Sequence, residues 1–162
     1  WFNADTPTKR FAPAGPDHAQ IAASAWMADY VDTLYAHHHE DEAAPAERAA
    51  AVRRLQVDHE QRLLKPLLEY LRERSDLRLL GPDRAAERVP TVAVHLERPG
   101  VEVAAALAPH GIMAGGGDFY AVRLLQALGI DPDHGVLRLS FVHYTHPDEI
   151  DRVITALDAV LR

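Results

Sequence analysis

The chain has 162 residues, with 17 Lys and Arg against 24 Asp and Glu, and so carries a net charge of −7. That is the length of one ordinary domain, able to bury roughly 70% of the surface its unfolded chain exposes, and 48% hydrophobic with 25% charged residues is a globular composition. The acidic balance argues against a nucleic-acid binder, which needs a basic face for phosphates, no apolar run reaches the ~20 residues of a membrane-spanning helix, and the absence of cysteine excludes disulfides, thiolate metal sites and a cysteine nucleophile within this sequence.

Residues 1–20 hold three prolines, a glycine and several turn formers, and predict an extended lead-in. Trp1, Phe2 and Phe11 in it call for burial against a surface elsewhere. Asp17, with Gln20 three residues on, is a capping-box arrangement. It opens a helix on which Ile21, Ala25, Ala28, Val31, Leu34 and Tyr35 recur at three and four. The run Ala36–Pro45 breaks that pattern, and Pro45 starts a longer helix to about Ser75, with Val52, Leu55, Leu63, Leu64, Leu67, Leu68 and Leu71 on one stripe. Pro66 lies inside it, removes one backbone bond and predicts a kink.

Beyond Ser75 short strands alternate with short helices. Leu77–Leu80 and Thr91–Leu96 read as strands, Val101–Ala108 as a helix stopped by Pro109 and Gly111, and Ile112–Ala114 as a brief strand running into Gly115-Gly116-Gly117. Asp118 is expected to cap a helix from Phe119 to Leu128, closed by Gly129. Val136–Val142 alternates as a strand should, and Thr145-His146-Pro147-Asp148 opens a last helix buried through Ile150, Val153, Ile154, Leu157 and Leu161. The expected fold is α+β: two N-terminal helices, the second long and kinked near Pro66, packing with a small, mostly antiparallel sheet covered by helices on one face.

Three collinear stretches, Phe11–His18, Gly111–Ala121 and Arg138–Asp151, together resemble the C-terminal part of the class V aminotransferase and cysteine desulfurase-like family of fold-type I enzymes. Phe11-Ala12-Pro13-Ala14-Gly15-Pro16-Asp17-His18, ahead of an apolar helix, is similar to the family's F-E-x-G-T-P-N turn or its G-G-P-N-H variant. Gly111–Ala121 is similar to the segment leading to the desulfurase cysteine, and Arg138–Asp151 (RLSFVHYTHPDEID) resembles R-x-S-x-x-x-Y-N-T-x-E-E-I-D, the most specific of the three. The resemblance implies a cofactor, pyridoxal 5'-phosphate, held as a Schiff base by a lysine that lies upstream of this whole region in the family. Lys9 and Lys65, the lysines present, lack the family's Ser-x-His-Lys context. The resemblance therefore implies that residues 21–162 are the C-terminal small domain, with its connecting helices, of a larger enzyme. Residues 1–20 would be a lead-in that meets the large domain or a partner subunit. The opening on Trp1 instead of Met fits a fragment or a processed product.

The resemblance assigns Arg138 to the α-carboxylate of an amino-acid substrate, a task suited to a planar guanidinium that stays charged and grips a carboxylate with two parallel bonds. An arginine paired with a nearby Asp or Glu, or solvated on the open sheet face, is the structural alternative. Ala14 and Gly15 match the turn that reaches the phosphate of the partner subunit's cofactor; Gly15 replaces the hydroxyl residue and leaves only backbone donors. Tyr120 stands where desulfurases carry cysteine, so no persulfide can form there, and it reads as core or domain-interface packing, with a catalytic acid as the alternative. His143 and Tyr144 belong to a corner that packs and caps the last helix. The glycine triplet reads either as a mobile active-site loop or as a permissive connection. His37-His38-His39 and His59 lack the i, i+4 spacing by which a helix chelates metal, so no metal site is expected.

The functional expectation is thus the C-terminal domain of a pyridoxal phosphate enzyme acting on an amino acid, incomplete and inactive alone, in a cytoplasmic homodimer. Its partners would be the N-terminal large domain and the amino-acid substrate, with no nucleic acid and no membrane. The alternatives are a non-catalytic binding or scaffold module that kept the fold, and a histidine-rich metal protein. An unpartnered lead-in and sheet edge would also favour self-association.

Overall fold

The structure, a computed structural model, describes residues 17–162. The lead-in, with Trp1, Phe2, Phe11, Ala14 and Gly15, lies outside the described residues. Two compact units divide the chain, one ending at Leu55 and the other running from Gln56 to Arg162.

In the first unit, helix α1 (His18–His38) begins at an Asp17 cap whose carboxylate accepts the N–H groups of Ala19 and Gln20. Its expected apolar stripe is buried in this unit only towards the C-terminal end. Tyr35 packs with Val31, Leu34, Ala51 and Val52, whereas Ile21, Trp26, Met27 and Tyr30 are exposed. Arg48 makes a two-bond ion pair with Asp32, at 2.8 and 3.0 Å. The His39 ring stacks on Tyr35 at 4.5 Å.

Helix α2 (Pro45–Glu73) runs from the first unit into the second and continues through Pro66. The proline sits on the exposed side of the helix, where water can satisfy the Arg62 carbonyl that has lost its N–H partner. In the second unit, Leu63, Leu64, Leu67, Leu68 and Leu71 enter one core with residues of the sheet and of helices α3 (Gly100–Leu107) and α5 (Pro147–Val160). The sheet has four strands: β1 (Leu77–Leu80), β2 (Thr91–Leu96), β3 (Gly115–Gly117) and β4 (Val136–Ser140). They lie in the order β1-β2-β4-β3, every pairing antiparallel. The α+β expectation holds, and the sheet is antiparallel throughout.

Period-2 alternation decides which side chains meet the helices. Val92, Val94 and Leu96 of β2, and Leu137 and Leu139 of β4, are buried in the helix-covered core. The opposite face carries Thr91, Ala93, His95, Arg138 and Ser140, and is covered in part by a short helix, α4 (Val122–Ala127). The last helix opens as expected, with Pro147 in its first turn. His146 is the cap: its Nδ1 accepts the Asp148 N–H, and Glu149 reaches back to the His146 N–H at 2.8 Å.

Three boundaries differ from the sequence expectation. The glycine triplet is neither a mobile loop nor a bare connector but strand β3, and Ile112–Ala114 precede it without strand structure. Close packing explains the glycines. A Cβ on Gly116 would fall 2.3 Å from the Gly100 carbonyl oxygen, and one on Gly100 2.2 Å from the Val136 carbonyl, so α3 lies against bare backbone. The helix expected from Phe119 starts only at Val122, because Phe119 and Tyr120 take φ of 52° and 59°. Asp118 caps a turn instead, its carboxylate accepting the Tyr120 N–H and its carbonyl the Ala121 N–H. Finally, β4 ends at Ser140, where Val142 and Thr145 close a turn by mutual hydrogen bonds of 3.0 and 3.2 Å.

Candidate functional site

Strand β4 alternates buried Leu137 and Leu139 with exposed Arg138 and Ser140. Arg138 therefore stands on the sheet face away from α2, α3 and α5. Ala93 is its partner in β2 and Gly115 its partner in β3. Among the described residues the guanidinium makes no ion pair and no hydrogen bond, and it lies over the Phe119 ring, whose centroid is 3.9 Å from Cζ. Three arginines on or beside the strands are engaged otherwise. Arg78 donates to the Leu128 carbonyl, Arg88 to the carbonyls of Leu80, Pro82 and Thr91, and Arg74 binds Asp158 and Tyr70. An exposed guanidinium without a carboxylate partner is chemically suited to receive one.

Beside these apolar neighbours the face carries uncharged polar groups. Thr91 and Ser140 pair across the strands, Oγ1 to Oγ at 3.3 Å. His95, beside Arg78 in the ladder, lies 5.0 Å from the His134 ring, centroid to centroid. The His134 Nε2 is 2.8 Å from the Leu96 carbonyl, to which it donates. Burial, then the like-charge influence of His134 and Arg78, lowers the His95 imidazole below the usual histidine range.

The remaining sequence candidates divide. Tyr120, expected to pack, is fully exposed and is no part of this chain's core, because the left-handed backbone at Phe119 and Tyr120 sends the phenylalanine ring inward and leaves the tyrosine outside. His143 and Tyr144 meet edge to face at 5.2 Å in the corner before α5, and Tyr144 is exposed. His59 donates to the Thr145 carbonyl at 2.9 Å. No group of three or more potential metal ligands occurs among the described residues. A cavity of about 290 Å³ opens beside the end of β4, between Leu67, Leu139, Ile150 and Val153, with Glu149 and Arg152 at its polar side; Arg138 does not line it.

Phe119 is the residue that sequence reasoning missed. The segment reads as the first turn of a helix, which hides it, and only the register that sets Gly115 opposite Arg138 exposes the connection. The described residues do not by themselves fit a Schiff-base cofactor. Lys65, the lysine among them, projects from α2, whose leucines pack on the other face of the sheet from Arg138.

A family model described as "Aminotransferase class-V" matches residues 47–153. The aminotransferase-like protein FGM3 of Gibberella zeae is 36% identical over 111 residues, covering 65% of this chain and 27% of that protein. Among solved structures, the apo cysteine desulfurase of Thermococcus onnurineus superposes with a TM-score of 0.59 at 24% identity, over 72% of this chain and 29% of that one. The cysteine desulfurase CsdA of Escherichia coli gives 0.55 at 23% identity, over 75% and 32%. A NifS-like protein of Rickettsia africae gives 0.58 at 15%, over 72% and 32%. The chain thus spans about a third or less of the length of each of these relatives.

Proposed function

Because the chain belongs to the class-V aminotransferase family, we propose that it serves as the small domain of a pyridoxal 5'-phosphate enzyme acting on an amino acid, with Arg138 as the seat of the substrate carboxylate. Members of this family use that cofactor, which when bound draws electrons from the substrate's α-carbon. In this reading the Schiff-base lysine and the ring-binding residues come from a large domain outside these residues, in a homodimer, and residues 21–162 alone are inactive. Ala14 and Gly15, outside the described residues, would in this reading contribute backbone N–H groups to the phosphate of the partner's cofactor. What supports the assignment is one observation: Arg138 is held on the open sheet face by an aromatic ring and is matched by no acid among the described residues.

The chemistry asked of this chain is binding and orientation. Two parallel N–H···O bonds from one guanidinium fix both the position and the plane of a carboxylate, and so fix the α-carbon beside it. Thr91 and Ser140 lie on the same face, and whichever hydroxyl accepts in their mutual bond keeps its own O–H for a ligand without adding charge. A sequence without cysteine has no thiol on which a persulfide could form, so the reading favours amino-group or lyase chemistry over desulfuration by this segment.

The test uses the full-length polypeptide in which this sequence occurs, with absorbance of the bound cofactor followed across a panel of amino acids. Arg138→Ala is expected to leave cofactor absorbance and melting temperature in place and to weaken the amino acid about 10- to 100-fold, the loss of a charge-assisted bond pair. A full-length protein that binds no pyridoxal phosphate, or an Arg138→Ala variant with unaltered amino-acid affinity, refutes the proposal, the first outcome in favour of a scaffold.

A further inference from the structure

Resting on that reading, we infer that Phe119 is a positioning residue for Arg138: its ring is a floor that orients the guanidinium and keeps its bonding edges free for a carboxylate. Several features converge on this pair. The ring centroid lies 3.9 Å below Cζ, within stacking distance of a planar cation. The ring is not a loose surface group, since it packs in a small apolar cluster with Leu125, Ile130 and Val136. Its backbone is fixed in the left-handed region, φ 52°, a conformation that a bulky L-residue adopts at a cost and that the Asp118 turn holds in place.

Strand β3 makes the room. Gly115 stands opposite Arg138 in the ladder, and a Cβ there would come 3.0 Å from two atoms of the Phe119 ring. The space a side chain would fill on β3 is thus occupied by the ring lying beside the arginine. The ring lies 3.9 Å from Cζ, and the guanidinium N–H groups are without a partner among the described residues. A long side chain on an open face otherwise samples many rotamers, and ordering it on the carboxylate would weaken binding. A hydrophobic floor restrains those rotamers without supplying a competing acceptor, as a carboxylate partner would. The nearby polar groups on the face, Thr91 and Ser140, bond to each other across the strands.

Two measurements test this. In the 162-residue chain, the Arg138 Nε–H resonance, assigned by its loss in Arg138→Lys, is expected to be shifted upfield by the ring and to show a restrained side chain. Phe119→Leu should return it towards the position of a mobile arginine, and Phe119→Tyr should retain it. Gly115→Ala should shift it too, by displacing the ring without removing it, and serves if Phe119→Leu folds poorly. In the full-length enzyme, Phe119→Leu should raise KM for the amino acid about three- to tenfold with kcat nearly unaltered, and Phe119→Tyr should restore it. A mobile, unshifted Arg138 in the wild type overturns the inference. So does a released arginine with unaltered KM, provided Arg138→Ala raises KM, in which case the carboxylate assignment survives alone. If Arg138→Ala leaves KM unaltered, the carboxylate assignment itself has failed and Phe119 has nothing to position.

Discussion

The two faces of one sheet separate what holds the second unit together from what it offers to a ligand. On the helix-covered side, Val92, Val94, Leu137 and Leu139 are nearly or fully buried with the leucines of α2. On the other, the same strands present His95, Arg138, Thr91 and Ser140, and the short α4 covers only part of the surface. Alternation along β4 means that a residue and its neighbour serve the two roles one rise apart. Leu137 stabilises the fold, while Arg138, half a pleat away, is free of structural bonds. Substitutions should therefore sort by face, stability on one side and ligand affinity on the other.

The largest effect should come from the covered face. Leu137→Ala deletes a fully buried side chain and is expected to cost about 3–4 kcal/mol, transfer and cavity terms together. Chemical denaturation of the 162-residue chain measures it. A cost below about 1 kcal/mol would mean that the covered side is not the core it is taken to be.

Next should be Gly100→Ala, which probes how closely α3 sits against the sheet. The added Cβ would meet the Val136 carbonyl at 2.2 Å, and the atoms in its way are backbone, which no rotamer change moves. An expected cost of about 2–3 kcal/mol follows from forced displacement of the helix. Ala is the better helix former by nearly 1 kcal/mol, so a stabilising outcome would show that the close approach is absent in solution.

Much of this division was legible beforehand. The alternation in Val136–Ser140 and in Thr91–Leu96 placed both strands, and the leucine stripe of α2 placed the covering helix, because each depends on periodicity alone. The face on which Arg138 stands follows from the same alternation, while the role proposed for it rests on the R-x-S resemblance. What stayed hidden depends on contacts between distant segments. Three glycines in a row carry no periodicity, so β3 is visible only once Gly100 is known to press on Gly116. Asp118 is an acceptor before an apolar run, which suits a helix cap and a tight turn equally. The left-handed pair Phe119-Tyr120 chose the turn, and with it decided which aromatic faces inward. The stripe on α1 shows the reverse case: its periodicity is helical, yet Ile21, Ala25 and Ala28 remain exposed within their unit.

The smallest effect belongs to the open face and sharpens the contrast through pH. His95 is half-buried among Ala93, His134 and Arg78, with Asp131 and Asp133 in the turn before His134. Burial first, and the neighbouring cationic groups second, hold its folded pKa below the usual value. A histidine depressed in this way binds a proton more readily unfolded than folded. Its contribution is intact above the unfolded pKa of about 6.5 and is lost as pH falls from there through the folded pKa. His95→Gln removes that one titration and leaves the carboxylates to titrate as before. Melting temperatures between pH 8 and 5 should therefore fall less steeply for His95→Gln than for the wild type. Parallel profiles would mean that water reaches His95 freely and that this corner of the open face is less covered by α4 and the His134 turn than its burial indicates.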